Sequence, residues 1–296
     1  MHRYLRSVGF SNLKSRKEYD QLIEYVIQNA DEKSYTEKEN DYVLTEYRKF
    51  FSENMGIVVN GEYDSENHFY LNHAFPFLRG DGITSEDDIT IERHADRESF
   101  AGVCDDIKVG VILIFYLQNS IPYVQCMNSG LLPLKGTSLT LSALSTAGTI
   151  MMPIVKNEHD KQKIKKVSNN RNRLIAAARS GDEEAMESLT LEDMDTYTTV
   201  SRKIMKEDLF SLVDTYFMPY GVECDQYSIL GEILACRLET NSLTGEEVYH
   251  LALDCNELIF DVCINRQDLL GEPEVGRRFR GNIWMQGTVH FPDSGV

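Results

Sequence analysis

Three histidines and one aspartate in the first hundred residues are the side chains best suited to metal-assisted chemistry. His68 and His73 stand in "HFYLNH", and His94 and Asp96 follow in "RHAD". Residues two apart in a strand share a face, as His94 and Asp96 do, whereas His68 and His73 are separated by an odd number and point to opposite faces. This spacing favours solvent-facing polar residues, and we predict no metal and no cofactor. A hydrolase site in this region is one alternative.

A basic and aromatic row near the end of the chain is the second candidate, because arginine and aromatic side chains together can hold a nucleic acid. The row consists of Arg278, Arg280, Asn282 and Trp284 in "GEPEVGRRFRGNIWMQG". In the competing interpretation the arginines pair with Asp254 and Asp261 on neighbouring strands, and the tryptophan packs under helices. We expect this second interpretation to hold.

A basic run at residues 161–179 is the third candidate, since it contains no acidic side chain. Its candidate contacts to a polyanion are Lys161, Lys165, Lys166, Arg171 and Arg173. A solvated helix face that balances two acidic domains explains the run equally well. The chain contains no G-x-S-x-G, Walker A, H-E-x-x-H or G-x-G-x-x-G motif. The sequence therefore leans away from an enzyme.

The first 157 residues predict an α+β domain with a mostly antiparallel sheet. Apolar residues at helical spacing predict an amphipathic helix over 13–30 that covers the sheet. Asn60-Gly61 is typical of a tight hairpin turn. Short apolar runs predict strands at 68–77, 88–94, 107–118, 121–126, 137–144 and 149–155. The run "IKVGVILIFYLQN" is apolar on both alternating faces, which predicts a strand covered on both sides.

Residues 158–217 predict a helical linker segment, and residues 218–296 predict a small antiparallel barrel. Ser180-Gly181-Asp182 marks a helix boundary, and Thr190 with Asp193 resembles a capping box. In the last segment, Phe279, Gly281, Ile283, Met285, Gly287 and Val289 form one alternating apolar row. We assign this row to the interior of an OB-like or SH3-like barrel, where glycine fits the limited space.

Charge and cysteine content narrow the class of protein further. The formal net charge of -17 opposes non-specific binding to nucleic acid, because a negative field repels phosphate. Six cysteines without any C-x-x-C pair predict free thiols in a reducing cytoplasm. The longest apolar run, at 109–117, is too short to span a bilayer, and the first residues lack the apolar region of a secretory signal. We expect a cytoplasmic protein without membrane contact.

Three stretches carry a resemblance to a known family: "MHRYLRSVGFS" at the start, "FMPYGVECDQYSILGEI" at 217–233 and "DLLGEPEVGRRFRGNIWMQG" at 268–287. On these residues the chain resembles an uncharacterised family of anaerobic Gram-positive, clostridia-like bacteria, known mainly as a domain of unknown function. The resemblance implies a cytoplasmic bacterial protein and supplies no catalytic residues.

The function predicted from the residues is that of a non-enzymatic binding or scaffold protein. Its partner is another protein or a second copy of the chain. An RNA- or nucleotide-binding module that uses the barrel row and the basic helix is the main alternative.

Overall fold

The computed structural model describes residues 2–37, 42–87, 89–93, 99–105, 112–130, 136–153, 170–204, 213–221 and 224–291. Its helices are α1 (Arg16–Gln28), α2 (Ser120–Asn128), α3 (170–179) and α4 (Glu183–Ile204), with short 3-10 helices at Arg3–Val8 and Arg266–Asp268. Its strands are β1 (Glu32–Glu37), β2 (Val43–Phe50), β3 (Met55–Tyr63), β4 (Phe69–Leu78), β5 (Ile89–Arg93), β6 (Phe100–Cys104), β7 (Leu113–Leu117), β8 (Ser138–Met151), β9 (Tyr216–Pro219), β10 (Gln226–Thr240), β11 (Glu247–Cys255), β12 (Leu258–Asn265), β13 (Leu269–Leu270) and β14 (Arg278–His290). The α+β class predicted from the sequence is confirmed.

The N-terminal strands form a four-stranded antiparallel sheet in the order β1-β2-β3-β4. The predicted helix that packs on it is confirmed as α1, which starts with a capping box between Ser15 and Glu18. The predicted turn at Asn60-Gly61 is wrong, because both residues lie inside β3 at a β-bulge opposite β4. The chain reverses later, at residues 64–67, where Asn67 adopts the positive φ.

The remaining ten strands form one large sheet. Five of them close into a barrel in the order β8-β12-β11-β10-β14, with β14 pairing back to β8. The pairing of β12 with β8 is parallel, and the other four pairings of the barrel are antiparallel. The runs predicted as two strands at 137–144 and 149–155 are instead the single strand β8. The barrel therefore contains strands from both sides of the domain boundary that the sequence predicted at residue 157.

The barrel interior follows the alternation predicted from the sequence. Phe279, Ile283, Met285 and Val289 are all buried in its core. A Cβ on Gly281 would lie 2.8 Å from the Phe279 ring and 2.9 Å from the Ala147 carbonyl oxygen, so only glycine fits this position. Gly281 thus fits the limited space of the barrel interior, as predicted.

Residues 121–126 were predicted to be a strand, and this prediction is wrong because they belong to α2. Pro122 falls in the first turn of the helix, where its missing N–H needs no partner. Gln125 and Asn128 donate side-chain hydrogen bonds to the carbonyl oxygens of Tyr35 and Glu37. The helix therefore covers the free edge of β1.

The predicted linker segment is helical over 170–179 and 183–204, whereas its last described residues, 213–217, are not helical and run into β9. The predicted boundary is confirmed: Gly181 adopts a positive φ, and Asp182 Oδ1 accepts from the amides of Glu184 and Ala185 at the start of α4. The predicted cap at Thr190 is wrong, because this residue lies within α4 and donates to the Met186 carbonyl. Among the helices that the structure describes, none is long and apolar enough to cross a membrane.

A second core joins the four-stranded sheet to the outer face of the barrel. Tyr4, Leu5 and Val8 of the first 3-10 helix are buried between these two layers. Ser7 Oγ donates to the Ser145 carbonyl at 2.7 Å, and Asn241 Nδ2 donates to the Val8 carbonyl at 2.8 Å. The N-terminal segment therefore fixes the position of the sheet on the barrel.

Candidate functional site

The predicted basic and aromatic row divides between buried and exposed positions. Arg280 and Asn282 are exposed, whereas Arg278 is only 5% exposed. The Arg278 guanidinium donates to the carbonyl oxygens of Met152 and Val213 at 3.0 and 2.8 Å. Burial lowers the pKa of this arginine below its ordinary value. Arg278 thus ties the end of the helical segment to the barrel.

Within the described residues, Trp284 packs on the N-terminal segment and not under the linking helices, which departs from the expectation. Its ring stacks on Tyr4 at a centroid distance of 5.3 Å and contacts His2 at 4.6 Å. Its Nε1 donates to Asp225 Oδ2 at 2.5 Å. The tryptophan is a contact between the barrel and the N-terminal segment, and its ring faces are occupied within the chain.

The basic run is only partly described. Lys161, Lys165 and Lys166 lie outside the described residues. Arg171 contacts Asp193 of α4 at 2.8 Å, and Arg173 is exposed on α3. The described part of the run is therefore an ion-paired helix surface together with an exposed arginine.

The histidines of the N-terminal region do not converge in the described part of the chain. His68 is exposed and lies 3.3 Å from Asp64, while His73 Nε2 lies 2.9 Å from the Tyr116 hydroxyl. His94 and Asp96 lie outside the described residues. Over the described ranges, no group of three or more His, Cys, Asp or Glu side chains is placed to hold a metal ion.

A buried histidine between two carboxylates is a cluster that the sequence analysis missed. His250 is 2% exposed, with Nδ1 3.1 Å from Glu239 and Nε2 3.1 Å from Asp261. Burial disfavours the imidazolium, but the neighbouring carboxylates of Asp261 and Glu239 outweigh it and raise the pKa of His250 to about 9. The bond to His250 lowers the pKa of Glu239.

The contacts of this cluster indicate a structural role. Ser52 Oγ donates to Glu239 Oε2 at 2.5 Å, so the hydroxyl is bonded to a carboxylate and not to the imidazole that would activate it. The amide of Asp81 donates to Asp261 Oδ2 at 2.7 Å. Through these bonds two loops of the N-terminal sheet are held on the outer face of the barrel.

A groove with a mainly apolar lining runs beside β5, β6 and β7. It has a volume of about 520 Å³. Its lining residues are Glu92, Arg93, Ala101, Val103, Ile112, Ile114, Pro219, Cys224 and Tyr227. A concave, largely apolar surface with a few polar groups is the usual form of a binding site.

The sequence signal for this groove was the second apolar row of the β7 region, which we interpreted as part of a strand covered on both faces. Ile112, Ile114 and Tyr116 form the second apolar row of the β7 region, which predicted cover on both faces. Tyr116 is covered by Phe75 and Trp284, but Ile112 is 57% exposed. The prediction of complete cover is therefore wrong, and the uncovered part of the row lines the groove.

Comparisons with known proteins show that the chain matches a family whose function is unknown. Residues 5–287 match a family described as "Domain of unknown function, E. rectale Gene description (DUF3881)". No curated protein and no solved structure matches the sequence.

Proposed function

The chain belongs to the DUF3881 family of unknown function, and we propose that it is a non-enzymatic protein that binds another protein through the groove beside β5, β6 and β7. The single observation that carries this proposal is the exposed Ile112 beside the half-buried Ile114 in the groove. Apolar side chains left in contact with water gain free energy when a partner covers them.

The hydrolase alternative finds little support in the described residues. His68 and His73 are held by different partners, Asp64 and Tyr116, and do not point to a shared reacting position. The hydroxyl of Ser52, which reaches the buried His250 cluster, is bonded to Glu239. These contacts favour a binding role over catalysis.

The RNA-binding alternative loses two of its four barrel residues, because Arg278 and Trp284 bond within the chain. The net charge of -17 also opposes a polyanionic partner. Cytoplasmic localisation is part of the proposal, and the free state of all six cysteines supports it.

A comparison of matched variants tests the proposal. Ile112 in the groove is replaced with glutamate, and Ile259 on β12, which is 52% exposed and outside the groove, receives the same substitution as the control. Proteins retained by each tagged variant from native extract are then compared with those retained by the wild type. We expect a partner that the wild type and Ile259→Glu retain and Ile112→Glu loses. Identical sets from all three proteins would contradict a role of the groove.

A further inference from the structure

The floor of the groove is concave across the strands that form it. Ala101 and Val103 of β6 lie at its centre, with Ile112 and Ile114 of the β7 region on one side and Glu92 of β5 on the other. The strand register pairs Glu92 with Ala101 and Val103 with Ile114, so these side chains share one face. Small residues between larger ones leave a depression that runs along β6.

The main-chain groups of the floor already have partners. β6 pairs with β5 on one side and with β7 on the other. The main-chain N–H of Ile114 donates to the Tyr227 hydroxyl at 2.7 Å, and this hydroxyl donates to the Ile114 carbonyl at 3.0 Å. Burial raises the pKa of Tyr227 to about 12, so its hydroxyl stays protonated and keeps this bond. Neither β6 nor Ile114 therefore offers main-chain hydrogen bonds to an occupant of the groove.

This pattern of hydrogen bonds favours a helix over an extended segment. Within the described ranges β5 pairs with β6 alone, but a strand added beside β5 would lie about 10 Å from β6 and about 14 Å from β7. An extended segment on the floor itself would bury N–H and C=O groups against apolar side chains without partners. An α-helix satisfies these groups internally, so it can cover the floor at no such cost.

The width of the floor also fits a helix. β5 and β7 lie on either side of β6, so about 10 Å separates their axes. An α-helix with its side chains is about 10–12 Å across. A single helix along β6 therefore contacts both sides of the floor, and its residues three or four apart lie on the face that meets it.

The net charge of the chain indicates the source of the helix. Each copy carries a formal charge of -17, so two copies repel each other at long range. This repulsion opposes a second copy of the chain as the occupant. The helix is therefore expected to belong to a different protein.

We propose that the groove receives one amphipathic α-helix of a different protein, which lies along β6 with apolar side chains three or four residues apart on the floor. This inference rests on the proposed function and specifies the form of the partner segment.

The spacing of crosslinks on the partner tests the inference with the full chain in cells. An aliphatic diazirine amino acid replaces Ile112 in one variant and Ile114 in another, two positions about 6.6 Å apart along the strand. A helix rises about 1.5 Å per residue, so the partner residues that contact these positions should lie about four apart. In an extended partner they would lie about two apart. Variants at Ala101 and Val103 give a second pair, and a variant at Ile259, outside the groove, is the control.

Peptide mass spectrometry of the adducts identifies the crosslinked residues of the partner. We expect positions 112 and 114 to react with residues three or four apart in one partner protein, and position 259 not to react with that protein. The pair on β7 decides the result alone if the β6 positions do not tolerate the substitution. Any other spacing overturns the helix, while the proposed function stands. Adducts with only a second copy of the chain, or no adducts from the groove, overturn both.

Discussion

His250 Nε2 lies 3.1 Å from Asp261 Oδ1 on the neighbouring strand, and the imidazole is almost completely buried. Glu239 lies equally close to the other ring nitrogen. The two carboxylates raise the pKa of His250 to about 9, which favours a protonated imidazole at neutral pH. The stability of the fold should therefore depend on this proton.

The pH dependence of unfolding tests this requirement. The pKa of His250 is about 9 in the folded protein and 6.5 in the reference state, so its contribution to stability is complete below pH 6.5 and is lost as pH rises through 9. This difference in pKa corresponds to a contribution of roughly 3 kcal/mol to the free energy of unfolding. Urea unfolding at several pH values from 6 to 10 measures how this contribution changes. The control, His250→Gln, has no proton to lose there, and a pH slope equal to that of the wild type would disprove the assignment.

Substitutions on β14 test which side chains are internal. Ile283→Ala should lower the free energy of unfolding by about 2–5 kcal/mol, because it leaves a cavity in the barrel core. With its carbonyl contacts known, we now expect Arg278→Ala to cost about 2–4 kcal/mol, because buried acceptors lose their donor. The exposed Arg280→Ala should cost about 0–1 kcal/mol. Equal losses for Arg278→Ala and Arg280→Ala in urea unfolding would refute these placements.

Fragments of the chain test the composition of the barrel. A fragment of residues 218–296, which were predicted to form the barrel, lacks β8, which lies between β12 and β14. We now expect this fragment to give a disordered circular dichroism spectrum and no cooperative unfolding. A fragment of residues 136–296 contains all five barrel strands and should give a β-rich spectrum. A cooperative transition in the shorter fragment would show that β8 is dispensable.

Thiol reactivity tests both burial and compartment. Cys104, Cys255 and Cys263 are buried, and burial raises the pKa of the Cys255 and Cys263 thiols well above the ordinary value. We expect these three thiols to resist a thiol reagent in the native protein, while Cys126 and Cys224 react. After denaturation without reductant, all six should react. A thiol count below six would reveal a disulfide and contradict the cytoplasmic assignment.

Local patterns predicted those parts of the fold that depend on local interactions. The amphipathic spacing of α1 and the alternation on β14 are properties of neighbouring residues, and both were predicted correctly. The capping box of α1 was missed, although Ser15 and Glu18 carry its local signal. The position of β8 in the barrel depends instead on pairing with strands more than 100 residues later in the chain. Period-two alternation does not encode such long-range partners.

The candidate sites were harder to predict for the same reason. Arg278 was correctly placed on the row opposite the core, but its burial depends on carbonyl groups at residues 152 and 213. The His250 cluster brings together residues from β10, β11 and β12 with Ser52 and the amide of Asp81. No local spacing relates these positions. The groove was visible only as a second apolar row, whose lack of cover is a property of the whole fold.

Photo-crosslinking in cells tests the central claim that the groove binds another protein. A benzophenone amino acid replaces Ile112 in one variant and Ile259 in the control, which have similar exposure. We predict a covalent adduct with one partner protein from position 112 and none with that partner from position 259. The absence of an adduct at position 112, the same adducts from both positions, or an adduct with only a second copy of the chain would contradict the claim.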